Sequence, residues 1–212
     1  MSEPLRFGLP KGRVFDQAIA LLSSAGITIS PEYLDSRRLI VPDVNGKFSF
    51  VTLKPIDIPV YVESGALDAG IVGTDILREL ESDVYEPLDL KIGKCKLALA
   101  APNGAALAFD QQIRIATKYP KTAQRFFLSQ NVHVQIIRLE GSVEIAPLLG
   151  LADAIVDLVE TGRTLNDNGL HIIEDVQHVS SKLIINRTAM KLRAKTINHL
   201  VSQLDSAVYA NP

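Results

Sequence analysis

Two α/β lobes with a cleft between them are what this sequence predicts, and three observations carry that reading. Short apolar runs alternate with longer amphipathic stretches along the chain, the order that packs helices on largely parallel sheets. One stretch, "AAPNGAALAFD" (100–110), interrupts the alternation with Ala, Pro and Gly and reads as the linker into a second lobe. The 212 residues are 47% hydrophobic, enough to fill a core without disulfide or metal staples.

"LRFGL" (5–9) reads as a strand and "VFDQAIALLSSAG" (14–26) as a helix ended by Gly26. "RLIVP" (38–42) and "FSFVTL" (48–53) flank "DVNGK", whose Asn-Gly pair is a hairpin signal. A short helix follows over 56–65 with Pro59 in its first turn. "DAGIVG" (68–73) is a buried strand, and "TDILRELE" (74–81) a helix that Thr74 could cap. After "CKLALAAP" (95–102) the alternation resumes: strand 113–117, helix 119–130, strand 132–139, helix 142–150 and strand 152–159. A helical turn over 163–169 closes at Gly169, two strands fill 170–186, and one long helix spans 187–208.

Composition excludes several function classes. With 22 Lys and Arg against 24 Asp and Glu, the net charge of -2 offers no general attraction to nucleic acid or anionic lipid. Any bound anion must be held by a local arrangement. The one cysteine, Cys95, starts an apolar strand and reads as an inert thiol. His133, His171, His178 and His199 lack metal-ligand spacing, so no protein-held metal is expected. No segment reads as a membrane span or signal peptide, which makes a reducing cytoplasm the simplest location.

Three strand exits carry residues suited to chemistry. "GLPKGRVFD" (8–16) runs from a strand into a helix, where amide groups favour anions and Lys11 and Arg13 add full positive charge; a solvated basic turn is the plain alternative. "GALDAGIVGTD" ends at Gly73, Thr74 and Asp75, its glycines serving either close ligand approach or tight strand–helix packing. "DLVETGRTL" (157–165) leaves a strand through two carboxylates, Asp157 and Glu160, either of which could accept from a ribose diol. Thr161, Gly162, Arg163 and Thr164 then stand at a helix start able to surround a phosphate; an ordinary helix start is the plain alternative.

"LPKGR", "KPIDIPVYVESGALDAGIVGTD" and "ADAIVDLVETGRTLNDNGL" together resemble the ATP phosphoribosyltransferase family, in order and along nearly the whole chain. The resemblance implies a two-lobed, periplasmic-binding-protein-like (type II) fold with a central cleft. Residues 1–100 and 180–212 would form a lobe on the ATP and diphosphate side, and 101–179 a lobe bearing the phosphoribosyl loop. It implies joining N1 of ATP to C1 of 5-phosphoribosyl 1-diphosphate (PRPP), releasing diphosphate, with Mg2+ held by the substrates, as the first step of histidine biosynthesis. Asp157, Glu160, Thr161, Gly162, Arg163 and Thr164 would bind PRPP. Lys11, Gly12, Lys54, Gly73, Thr74 and Asp75 would face ATP. Arg13, Arg37 and Lys11 would serve catalysis, with Arg37 preferred over its neighbour Arg38. The chain resembles the short form of the family, so a regulatory subunit resembling histidyl-tRNA synthetase is the implied partner, around a homodimer within a hetero-oligomer. A non-catalytic small-molecule-binding protein or a scaffold of the same fold is the rival reading; the first would normally carry an export signal, and the second need not keep both the cationic turn and the acidic loop.

Overall fold

Five of the six residues of β1 (Leu5–Pro10) are buried, and only Arg6 reaches water. Burial on both faces is what a central strand of a helix-covered sheet requires. β1 runs parallel to β3 (Phe48–Leu53) on one side and to β4 (Ala69–Gly73) on the other. β2 (Ile40–Pro42) closes the hairpin onto β3, with Gly46 at φ 66 in the turn between them. β5 (Tyr85–Asp89) and β11 (Ser181–Ile185) complete a six-stranded sheet of order β2-β3-β1-β4-β11-β5. A second sheet, β10-β6-β9-β7-β8, comprises β6 (Cys95–Pro102), β7 (Ile113–Thr117), β8 (Val134–Arg138), β9 (Ala154–Val159) and β10 (Leu170–Val179). The structure, a computed structural model, describes residues 3–29, 38–105, 107 and 112–210.

Helices α1 (Phe15–Ser24), α2 (Ile58–Glu63), α4 (Pro120–Ser129) and α5 (Ile145–Leu148) make the crossovers between parallel strands. Both sheets are mixed rather than largely parallel, with five antiparallel pairings: β2/β3, β4/β11, β5/β11, β6/β9 and β6/β10. Parallel neighbours need a crossover of a dozen or more residues, and the chain supplies these only for β1, β3 and β4 and for β7, β8 and β9. Residues up to Gly93 together with those from Ser180 onward form one compact unit, and Lys94 to Val179 form another. The first crossing precedes the Ala-rich stretch because β6 pairs with β9 and β10.

Three further expectations need correction. Thr74 does not cap α3 (Thr74–Leu80): Gly73 occupies the cap, and the Thr74 hydroxyl accepts the Ser180 amide at 3.3 Å instead. The helix expected over 142–150 is reduced to α5, preceded by Ser142 at φ 49 and followed by Gly150 at φ 71. The long final helix breaks at Arg193 (φ -121) into α7 (Arg187–Leu192) and α8 (Ala194–Ala210). Its periodicity is unbroken in sequence; a tertiary contact intervenes. The Arg193 guanidinium lies 3.1 Å from Asp68 Oδ2, which is almost wholly buried and also accepts the Arg6 amide at 2.8 Å.

The core of the first unit stacks Phe7, Phe48 and Phe50, with the Phe7 and Phe50 rings edge-on at 5.6 Å. Two glycines of this unit serve packing. Gly8 and Gly70 are partners in register across β1 and β4, and α2 rests on them. A Cβ on Gly70 would stand 2.7 Å from Ile58 Cγ2 and 3.3 Å from the Gly8 carbonyl oxygen. Gly70→Ala must therefore push α2 off the sheet, a cost of about 1–3 kcal/mol. A lowered urea midpoint at unchanged m-value is the expected result; an unchanged midpoint would show that α2 yields freely.

Candidate active site

Each sheet holds three adjacent parallel strands, and their carboxyl ends are where an open α/β sheet gathers ligands. In the first unit these ends belong to β3, β1 and β4. The Lys11 amide donates to the Leu53 carbonyl at 2.8 Å, so Lys11 lies beside the chain that continues into Lys54. Gly12 follows at φ 88, a left-handed turn that glycine makes without strain, and both lysines and Arg13 are exposed. The Arg13 guanidinium donates to the Gly93 carbonyl at 3.1 Å. At the end of β4, Gly73 is half-buried, whereas Thr74 and Asp75 are buried. Thr74 is tied through both its amide and its hydroxyl to Ser180, so it fixes the strand exit. Arg37 lies outside the described residues.

In the second unit the ends belong to β8, β7 and β9. Thr117, wholly buried, locks the middle exit: its hydroxyl donates to the Val156 carbonyl at 2.6 Å and accepts the Tyr119 amide at 2.9 Å. Asp157 sits one residue beyond that lock, half-buried, with Oδ1 accepting the Leu158 amide at 2.8 Å. Burial raises its pKa above the ordinary 3.8; the Leu158 bond opposes the rise, Glu144 adds to it, and Lys118 counters it. Glu160, Thr161 and Thr164 are exposed. Gly162, at φ 78, begins the turn of α6 (Arg163–Asp167), and the Thr161 hydroxyl accepts the Arg163 amide at 3.4 Å. Leu165 anchors the turn among Ile155, Val159 and Leu170. The Arg163 side chain is 86% exposed, and its 3.6 Å pairing with Asp167 is the weak (i, i+4) kind.

The structure thus groups Lys11, Gly12, Arg13, Lys54 and Gly73 on one strand edge, and Asp157 with residues 160–164 on another. It adds Lys118 and Glu144, which act electrostatically on Asp157. Both were missed in the sequence: they follow β7 and β8, and their relation to Asp157 depends on those strands lying beside β9. Among the described residues, no three His, Cys, Asp or Glu side chains are grouped to hold a metal, and no helix is long and apolar enough to cross a membrane.

Cationic turns on one sheet and an acidic, hydroxyl-bearing turn on the other define the class: an α/β protein equipped for phosphorylated ligands. A protein-family model described as ATP phosphoribosyltransferase (HisG) matches residues 54–206. An ATP phosphoribosyltransferase of Oceanobacillus iheyensis is 45% identical over 206 residues, covering 97% of this chain and 99% of that protein. Another, from Acidithiobacillus ferrooxidans, is 46% identical over 215 residues, covering 98% and 99%. Among solved structures, the ATP phosphoribosyl transferase (HisG:HisZ) complex from Thermotoga maritima matches with a TM-score of 0.84 and 29% identity, over 98% of this chain and 100% of that one. The periplasmic aliphatic sulphonate binding protein SsuA from Escherichia coli matches with a TM-score of 0.61 and 16% identity, over 98% of this chain and 69% of that one, a likeness of fold alone. The chain belongs to the ATP phosphoribosyltransferase family. Its activity is the family's transfer of a phosphoribosyl group to ATP, within histidine biosynthesis, and the solute-binding likeness confirms the type II fold.

The raised Asp157 pKa has a signed consequence. Below the ordinary carboxylate value the group is protonated folded and unfolded, and it makes no difference. As pH rises the unfolded carboxyl ionises first, so stability is lost progressively until the native group has also ionised. Asp157→Asn removes that loss. Urea denaturation of both chains from acid to neutral pH should show the variant gaining on the wild type as pH rises; parallel curves would mean that burial does not govern this carboxylate.

Proposed function

We propose that the turn at 157–164 holds the ribose and 5-phosphate of PRPP, and that the edge bearing Lys11, Arg13 and Lys54 receives the diphosphate and the ATP phosphates. Asp157 or Glu160 accepts from the ribose hydroxyls. Thr161, Thr164 and the amides after Gly162 donate to phosphate oxygens, with Arg163 adding charge. The observation that carries this reading is the position of the turn: it leaves a buried strand at its carboxyl end, whose last residues include the half-buried Asp157.

In the reaction adenine N1 attacks the anomeric carbon while its bond to the diphosphate oxygen breaks. Positive charge builds on the ribose ring and negative charge on the leaving group, so no covalent nucleophile is needed. Lys11 and Arg13 oppose the second charge, and the buried Thr74 and Asp75 serve through the turn they build beside Gly73. Arg37 belongs to the same reading. Mg2+ would be carried by the substrate phosphates and water, where few protein ligands are required, and would neutralise diphosphate charge.

Arg13→Ala should lower kcat by roughly 100- to 1000-fold with little change in PRPP affinity, since the contact strengthens as leaving-group charge develops. Thr161→Ala and Thr164→Ala should each weaken PRPP binding by about 1.5–3 kcal/mol in calorimetric titration. Unchanged kcat in the first, or wild-type affinity in both others, would remove the corresponding assignment.

The pairing seen in the Thermotoga maritima complex extends by this reading to the present chain. A regulatory subunit resembling histidyl-tRNA synthetase would carry the effector site, and Leu192, 80% exposed at the end of α7, is a candidate contact. Adding such a subunit should make the activity histidine-sensitive, with inhibition of roughly 5- to 150-fold. Saturable inhibition of this chain alone would refute the division of labour.

A further inference from the structure

Gly93, the last residue of the first unit before the chain crosses, is gripped from both sides of its Cα. Its amide donates to Gln17 Oε1 at 2.8 Å, and its carbonyl accepts from Arg13 Nη2 at 3.1 Å. Arg13 lies in the turn two residues before α1, and Gln17 in the first turn of that helix. Gly93 is buried at φ 62, and a Cβ there would stand 2.8 Å from Val14 Cγ2 and 3.0 Å from Ser181 Oγ. The neighbouring backbone is laced to β11: the Ser181 amide donates to the Ile92 carbonyl at 3.0 Å, and the Leu90 amide donates to the Ser181 carbonyl at 2.9 Å. Gly93 is therefore a fixed acceptor, held at its amide by Gln17 and at the preceding carbonyl by Ser181.

We propose that Gln17 is a positioning residue for phosphoribosyl transfer, acting through the Gly93 backbone to hold the Arg13 guanidinium. The proposal rests on the role assigned above to Arg13. A long arginine side chain loses rotamer freedom when it settles on an anion. Anchoring one guanidinium nitrogen on a rigid carbonyl meets part of that loss before substrate arrives. Gln17 itself touches no substrate. Its amide oxygen does the holding, so the chemistry requires an acceptor at this position and not merely a side chain of similar length.

The test is a double-mutant cycle on the full chain with ATP, PRPP and Mg2+. Gln17→Leu removes the acceptor and should lower kcat roughly 10- to 100-fold while both KM values stay near the wild type. Gln17→Glu, which still accepts from the Gly93 amide, should recover most of the loss. With Arg13→Ala already in place, Gln17→Leu should change kcat by less than about twofold, since it acts only through that side chain. Gln17→Met serves in place of Gln17→Leu if the latter fails to fold by circular dichroism. Wild-type kcat in Gln17→Leu overturns the proposal, as does an equal loss in both backgrounds, which would mark Gln17 as merely structural. A normal kcat for Arg13→Ala alone would instead sink the reading of Arg13. The two failures are thus distinguishable.

Discussion

The constraint on which the rest depends is parallel pairing on both sides of one strand, imposed once in each unit. β1 between β3 and β4, and β7 between β8 and β9, have their backbone groups committed on both edges and their side chains covered on both faces. Such strands can be neither slipped nor exposed, and their ends become the fixed points of the molecule. Every crossover must then return over the sheet, which places one set of turns at the carboxyl ends and another at the amino ends. Lys11, Arg13 and Lys54 are thereby gathered from distant stretches of sequence, as are Lys118, Glu144 and Asp157. Register gathers them.

Polar groups divide accordingly. Those that secure the fold are buried and fully engaged: Thr117 between β7 and β9, Asp68 beneath Arg193, and Asn186, whose side chain caps α7 while donating to the Val62 carbonyl at 2.8 Å. Those proposed for substrates are exposed and lightly held, as with Thr161, Thr164 and Arg163. Asp157 falls between the two groups. It is covered enough for its charge to be disfavoured and open enough to meet a hydroxyl, a combination that suits a carboxylate whose partner arrives from solution.

Much of the architecture was legible because local signals and tertiary demand agreed. The period-2 runs, the Asn45-Gly46 hairpin, Pro59 in a first turn and Gly26 past α1 each appear where pattern placed them. The failures share a cause, which is that long-range contacts leave little trace in local pattern. β5 escaped notice because Pro87 sits within it, tolerable only because this strand forms the sheet's edge. The break at Arg193 is set by Asp68, far away in sequence. The glycines around β4 invited a ligand reading, and for Gly70 the structure gives helix packing instead. At the site, the acidic turn was readable as one contiguous stretch, whereas Lys118 and Glu144 required knowing which strands lie side by side.

The second unit is inserted within the first, and this bears on the order in which a chain made from its N-terminus can fold. When residue 179 has been synthesised, every strand of the β10-β6-β9-β7-β8 sheet exists, and that unit can close on itself. The first unit cannot. β4 still lacks β11 along one side, and α8, which supplies Ile197, Leu200 and Leu204 to the core around Phe7, has not yet emerged. An early-made β-edge therefore waits, unpaired and apolar, for the last part of the chain. The nascent protein is most exposed to misassociation in that interval, and the vulnerability arises from strand order alone.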